Sequence, residues 1–211
     1  MSLYKEWSTD NDSLAAIWKI EEDEAFFTER VKHSSDISND KRRLEYLAGR
    51  FLLKHLENDF PVLTITPDKH DKPRVNNNEY FFSISHSWPY VAVTVSKEHE
   101  AGIDIQTWHP GIERIQHKFL SEDEQTIFKN DPQLITLAWS AKEAAYKWQG
   151  KRGVEFIEHL PIMFFEKKMN YFYFNIYLSL PTPPQMINIE SIIEPSFACS
   201  YITHTQDWAI Y

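Results

Sequence analysis

Three groups of residues in this chain have the types and spacing for chemistry. Asp104 and Gln106 stand in Ala101-Gly102-Ile103-Asp104-Ile105-Gln106, where apolar and polar residues alternate. Side chains along a strand point to opposite faces in turn, so both polar groups leave the apolar face together. Glu143 and Lys147 lie one helical turn apart in Trp139-Ser140-Ala141-Lys142-Glu143-Ala144-Ala145-Tyr146-Lys147. Ser85-His86-Ser87 closes a run of β-forming residues. Each group by itself has a bland explanation: a solvated strand face, a helix-surface ion pair, a polar hairpin end. As a set they suit phosphoryl transfer. Two carboxylates, one from a strand and one from a helix, match a hard cation such as magnesium, which fills its other positions with water and substrate phosphate. A histidine and nearby lysines answer the remaining phosphate charge. The chain has no glycine-flanked nucleophilic serine. With only 5 glycines it also has no glycine loop to cradle a nucleotide phosphate.

These groups need elements to hold them. Asp40 to Leu56 has the clearest helical spacing, with Leu44, Leu47 and Phe51 on one side and Asn39 or Asp40 as cap. Shorter helices are expected from Ser13 through Trp18 and over Asp23–Val31, and a short strand over Thr64–Thr66. Residues 80–85 and 90–96 read as strands joined by the turn-like His86-Ser87-Trp88-Pro89. With the Asp104 strand they would form a three-stranded antiparallel meander, 90–96 in the centre. Ile112 to Phe119 looks helical. Ser121 and Glu124 form a capping-box pattern opening a helix to Lys129. A long helix runs from Pro132 to Gly150, and strands follow at 162–165, 171–178, 187–193, 197–203 and 208–210. Helices then strands, twice, give an α+β class with a boundary near residue 100, hence lobes 1–100 and 101–211.

Composition narrows the function classes. The 211 residues are 42% hydrophobic and 25% charged, ordinary for a globular chain. A single cysteine, Cys199, excludes an internal disulfide and a cysteine-rich zinc site. Residues 1–19 lack the pattern of a secretory signal, and no apolar run reaches bilayer length, so a cytoplasmic location is expected. The net charge of −9 argues against nucleic acid or an anionic membrane as partner. The local cluster Lys41-Arg42-Arg43 suits a small anion.

The order of these motifs resembles the 4′-phosphopantetheinyl transferase superfamily, in its long, two-lobed, surfactin-synthetase-activating type. The resemblance rests on Phe82-Ser83-Ile84-Ser85-His86-Ser87, on Gly102-Ile103-Asp104, on Lys118-Phe119-Leu120-Ser121 with Glu124, and on Trp139-Ser140-Ala141-Lys142-Glu143 with Lys147. Lys72-Pro73 is similar to the family's Gly-Lys-Pro element, with Asp71 in the glycine position. Leu47-Ala48-Gly49-Arg50 fits its N-terminal helix. The resemblance implies two pseudo-symmetric α+β lobes, each with helices on a small antiparallel sheet, and an active site in the cleft between them. It implies transfer of 4′-phosphopantetheine from coenzyme A to a serine of an apo acyl or peptidyl carrier protein, releasing adenosine 3′,5′-bisphosphate.

By the same resemblance Asp104 and Glu143 bind magnesium, and Glu143 orients or deprotonates the attacking serine. Lys147 steadies the phosphate charge, Ser85 and His86 contact the coenzyme A phosphates, and Lys72 and Lys41 hold the 3′-phosphate. The two-lobed form completes its own site, which implies a monomer. Gln106 departs from the family pattern, where many relatives carry glutamate. It keeps an oxygen and loses a charge, so it meets the metal directly or through a water. Three alternatives stay open on sequence: a non-catalytic coenzyme A or carrier-protein binder of the same fold, a magnesium-dependent phosphohydrolase, and an interaction module. Gln106→Glu is expected to retain carrier-modifying activity; complete inactivity in a correctly folded variant, judged by circular dichroism, would overturn this view of position 106.

Overall fold

The computed structural model describes residues 2–9, 12–76, 79–180 and 183–207. Its elements are α+β, and they fall into two units, Met1–Ile105 and Gln106–Tyr211. The first contains β1 (Leu3–Ser8), β2 (Leu14–Lys19), α1 (Glu24–Val31), α2 (Asp40–Leu56), the two-residue strands β3 (Thr66–Pro67) and β4 (Pro73–Arg74), β5 (Phe81–Ser87) and β6 (Tyr90–Ser96). The boundary between the units falls inside β7 (Ile103–Thr107).

Helix positions follow from local capping. Asp23 accepts the Phe26 N–H and starts α1; Asn39 accepts the Arg42 N–H and starts α2. The strands required more than local signals. Leu14–Lys19, expected as the start of a helix, is a strand: Ala15, Ala16 and Ile17 are fully buried between β1 and β6. A short apolar run buried on both faces carries no period that separates helix from strand. The expected meander is corrected as well. The antiparallel sheet has the order β1-β2-β6-β5, so the neighbours of β6 are β2 and β5. Every residue of β6 is buried, and the apolar β2 provides it with a second buried edge.

The 103–105 segment is instead held by side chains of β5. The Ile103 N–H donates to the Ser83 hydroxyl at 3.2 Å, and the Ile105 N–H to Ser85 at 3.2 Å. Residues 62–64 make a 3₁₀ turn where a strand over 64–66 was expected. His86 and Ser87 belong to β5, leaving Trp88-Pro89, joined by a cis peptide bond, as the turn.

Helix α2 packs on β6, β2 and β5. Trp18, Phe51, Phe27 and Phe26 interlock beneath it, with Trp18 and Phe51 edge-to-face at 5.0 Å. The closest approach is at Gly49, where a Cβ would sit 3.0 Å from Ile84 Cγ2. Glycine in mid-helix costs stability relative to alanine, so its value here is the short distance between α2 and β5.

The second unit contains α3 (Ile112–Ile115), a 3₁₀ turn at 116–118, α4 (Glu122–Phe128), α5 (Pro132–Gln149), α6 (Phe156–His159) and the strands β8 (Ile162–Lys168), β9 (Tyr171–Leu178), β10 (Gln185–Glu194) and β11 (Phe197–Asp207). Ser121 and Glu124 close a reciprocal capping box on α4. Asp131 caps α5, Pro132 occupies its first turn, and Gly150 ends it in a left-handed conformation at φ 69°. The antiparallel sheet has the order β7-β11-β10-β9-β8. Helix α5 lies against β11 and β10 over a core of Phe128, Phe174, Ile187 and Ala198. The last two strands are longer than their hydrophobic pattern implied, and the strand expected at 208–210 lies outside the described residues. No helix among the described residues is long and apolar enough to cross a membrane.

Gly49→Ala should gain about 1 kcal/mol in helix propensity and lose more by crowding a branched side chain. The expected net effect is a loss of about 1 kcal/mol in urea unfolding. A raised midpoint would mean that α2 shifts away from β5 without cost.

Candidate functional site

Asp104 is 1% exposed. Its Oδ1 accepts the Ser85 hydroxyl at 2.8 Å, and the same Ser85 oxygen accepts the Ile105 N–H. Such a bond from a neighbouring strand restricts the rotation of the carboxylate. Ser85 is itself buried. The structure thus brings two of the expected site residues together, with the serine acting on the carboxylate.

His86 points to the other face of β5, as alternation requires. Its ring is half-exposed, and Nδ1 lies 3.1 Å from Oε2 of Glu45, a carboxylate 6% exposed on α2. The pairing follows from the Gly49 approach. Glu45 is one helical turn before Gly49, and His86 is two strand residues after Ile84. A turn of about 5.4 Å and two strand steps of about 6.6 Å nearly match. Around this pair is a cleft of about 400 Å³, lined by Arg42, Glu45, Tyr46, Arg50, Ile84 and His86 together with Ile37.

The expected phosphate-binding lysines have different settings. Lys41 is exposed, with Nζ 5.4 Å from the centre of the Trp88 ring. Lys72 is buried, and its Nζ bonds Glu100 at 2.7 Å; Arg74 holds the other oxygen of Glu100 at 2.6 Å. Burial pulls the Lys72 ammonium below the ordinary lysine range, and Glu100 opposes that shift. Asp71, standing where the resembled family has glycine, is in the left-handed region at φ 66°. Aspartate is among the few non-glycine residues that enter that region readily, so the turn survives the substitution.

On α5, Glu143 and Lys147 are half-buried and four residues apart. The residue just before Glu143 has the more demanding environment. Lys142 is 0% exposed, and its ammonium donates to the carbonyls of Phe119 (2.8 Å) and Phe156 (3.2 Å) and to Glu124 Oε2 (2.8 Å). All three of its donors are used. Glu124 also accepts the Ser121 N–H on Oε2 and the Ile162 N–H on Oε1. One buried ion pair therefore joins α4, α5, α6 and the start of β8. Burial draws the Lys142 ammonium below the usual lysine range against the pull of Glu124.

Asp104 belongs to the first unit, while Gln106, Glu143 and Lys147 belong to the second. Among the described residues no group of three or more His, Cys, Asp or Glu side chains is arranged to hold a metal ion. Asp104, Glu143 and Gln106 each carry oxygen donors of the type that magnesium takes. Sequence reading named Arg50, Lys142 and Glu124 only as members of motifs, without the cleft or the ion pair they form, and gave Glu45 no role. The fourfold spacing Arg42–Tyr46–Arg50 was the available signal for the cleft. The inward turn of Lys142 had none, because a lysine beside a glutamate reads as surface.

Residues 100–173 match the family model of the 4′-phosphopantetheinyl transferase superfamily. The chain is also similar to enterobactin synthase component D of Salmonella typhimurium (strain LT2), at 33% identity over 115 residues. That match covers 51% of this chain and 48% of the relative, so the chain spans about half the length of the curated relative it matches.

Lys142→Ala would leave Glu124 buried without its counter-ion, and a loss of about 3–5 kcal/mol is expected. Glu124→Gln keeps an acceptor for the Ile162 N–H and should lose less, about 1–3 kcal/mol. Denaturant unfolding of both variants checks the order; equal and small losses would show that the pair holds nothing together.

Proposed function

We propose that this chain is a 4′-phosphopantetheinyl transferase of the long, two-lobed type. It moves phosphopantetheine from coenzyme A to a serine of an apo acyl or peptidyl carrier protein, releasing adenosine 3′,5′-bisphosphate. The observation that carries this reading is the ordered motif set around Asp104 and Glu143, lying in the same segment, 100–173, that matches the superfamily model.

In this reading Asp104, oriented by Ser85, and Glu143 hold magnesium, with Gln106 contributing its amide oxygen directly or through water. When bound, the ion would neutralise diphosphate charge. Glu143 accepts the proton of the attacking serine or orients its hydroxyl, a role worth about 10²–10⁴ in rate. Lys147 places a positive charge where the leaving phosphate develops negative charge, which stabilises the transition state more than the ground state. His86 contacts the coenzyme A phosphates. Lys41 and Lys72 are assigned to the 3′-phosphate, Lys72 by exchanging its bond to Glu100. A cytoplasmic monomer without nucleic-acid or membrane partners completes the reading.

Gln106 supports a second reading, because loss of a charge at this position is a step towards a non-catalytic coenzyme A or carrier-protein binder. Intact-mass spectrometry separates the two. An apo acyl carrier protein incubated with this chain, coenzyme A and magnesium should gain one phosphopantetheine. The rate should fall by about 10²–10⁴ with Glu143→Ala. No gain with several unrelated carriers, while coenzyme A still binds, would establish the binder instead.

A further inference from the structure

The short helix α6 is closed by a histidine side chain. The Glu155 N–H donates to Nδ1 of His159 at 2.8 Å, and the His159 N–H donates to the Glu155 carbonyl at 2.7 Å. A backbone N–H can only donate. Nδ1 must therefore offer a lone pair, and the proton of the neutral ring sits on Nε2. A second proton would set one N–H against another and remove the bond. Glu158 stands at the position from which a capping-box glutamate would close such a turn without this condition. Its side chain is 77% exposed instead, with Oε1 3.7 Å from Nε2 of His159. The Ser179 N–H bonds the His159 carbonyl at 3.2 Å and ties the turn to the end of β9.

What α6 presents to α5 lies on both sides of Glu143. Trp139, Glu143 and Tyr146 recur at spacings of four and three, so they share one face of α5. The Phe156 ring packs on Trp139 at 5.2 Å and on Tyr146 at 5.8 Å between centres. The Phe156 carbonyl accepts the ammonium of Lys142, the residue before Glu143. One residue of α6 thus touches α5 a turn before Glu143, a turn after it, and directly beside it in the chain. Phe156 follows Glu155, so the bond from Glu155 to His159 sets where Phe156 is held.

We infer that His159 is a positioning residue for Glu143. Its neutral ring holds α6 closed and Phe156 against α5; protonation opens the turn and loosens the setting of Glu143. The inference rests on the function proposed above for the role of Glu143. The charged and titratable groups of the surrounding elements are Glu155 and Glu158 at α6, Lys142 and Tyr146 on α5, Glu124 on α4 and Tyr177 on β9. Lys151 and Arg152 stand exposed in the loop before α6. Lys142 and Glu124 are paired with each other. Among the described residues Glu158 is the charged group within ion-pair distance of the His159 ring, placed to pair with the imidazolium. Histidine changes charge between about pH 5 and pH 8, so the turn closes as pH rises through that window.

The test compares the full chain as wild type, His159→Asn and His159→Ala across this window, with folding checked by circular dichroism. Asparagine keeps an acceptor at the place of Nδ1 and does not titrate. In nuclear magnetic resonance spectra of the wild type, the backbone amide signals of Glu155 and Glu143 should shift together, with one shared midpoint between about pH 5 and pH 8. That shared titration should be absent in His159→Asn. In the carrier-modification assay, the fall in kcat towards the acid end should be about fivefold greater in wild type than in His159→Asn, the scale of one lost hydrogen bond. His159→Ala should lose rate at the alkaline end too, and His159→Asn should recover it. A Glu155 signal that does not titrate in wild type would overturn the closing bond. A Glu143 signal that stays still while Glu155 moves would overturn its effect on α5, as would equal kcat profiles in wild type and folded His159→Asn. If the chain transfers nothing to any carrier, the amide signals still decide whether His159 sets Glu143, so the two failures are distinguishable.

Discussion

The buried ammonium of Lys142 is the constraint on which the second unit turns. Removing a charge of either sign from water costs several kcal/mol, and that cost is offset only when every donor finds a good acceptor. Lys142 meets that requirement with two carbonyls and Glu124. Glu124 meets it with Ser121, Ile162 and Lys142. The pair therefore tolerates one rotation of α5 about its axis. A helix advances about 100° per residue, so fixing Lys142 inward also fixes the direction taken by Glu143 and by Lys147, one turn further on. A buried ion pair is a poor source of net stability, and its usefulness here lies in orientation.

The first unit reaches a comparable result with shape. Gly49 lets α2 approach β5, with only 3.0 Å available for a Cβ against Ile84. The near match between a helical turn and two strand residues then carries Glu45 to His86. The two faces of β5 divide the work. Ser83 and Ser85 bond the 103–105 segment and orient Asp104, while Ile84 and His86 face α2. Shifting this strand by one residue would exchange every one of those contacts.

Both units place a long helix, of 17 and 18 residues, on an antiparallel sheet. Each also buries charged or polar groups beside the residues to which chemistry is assigned. Buried polar groups held by complete sets of hydrogen bonds resist reorientation. That is the property a phosphoryl-transfer site needs, because its catalysis comes mostly from fixed charges and positions.

Much of this chain was legible without coordinates where the causes are local. Helices α1, α2, α4 and α5 start at caps that bond the backbone two or three residues on, and α5 ends at a glycine suited to positive φ. Residue types at 104, 143 and 147 also told what chemistry was available. The tertiary structure decided what depends on distant partners. Ala16 is opposite Val93, and this pairing makes Leu14–Lys19 a strand and gives β6 its second neighbour. Lys142 faces inward because Glu124 and two carbonyls converge on it, and Arg50 lines a cleft because Gly49 admits β5. In each case the deciding free energy is desolvation or close packing between residues far apart in sequence, which no local pattern encodes.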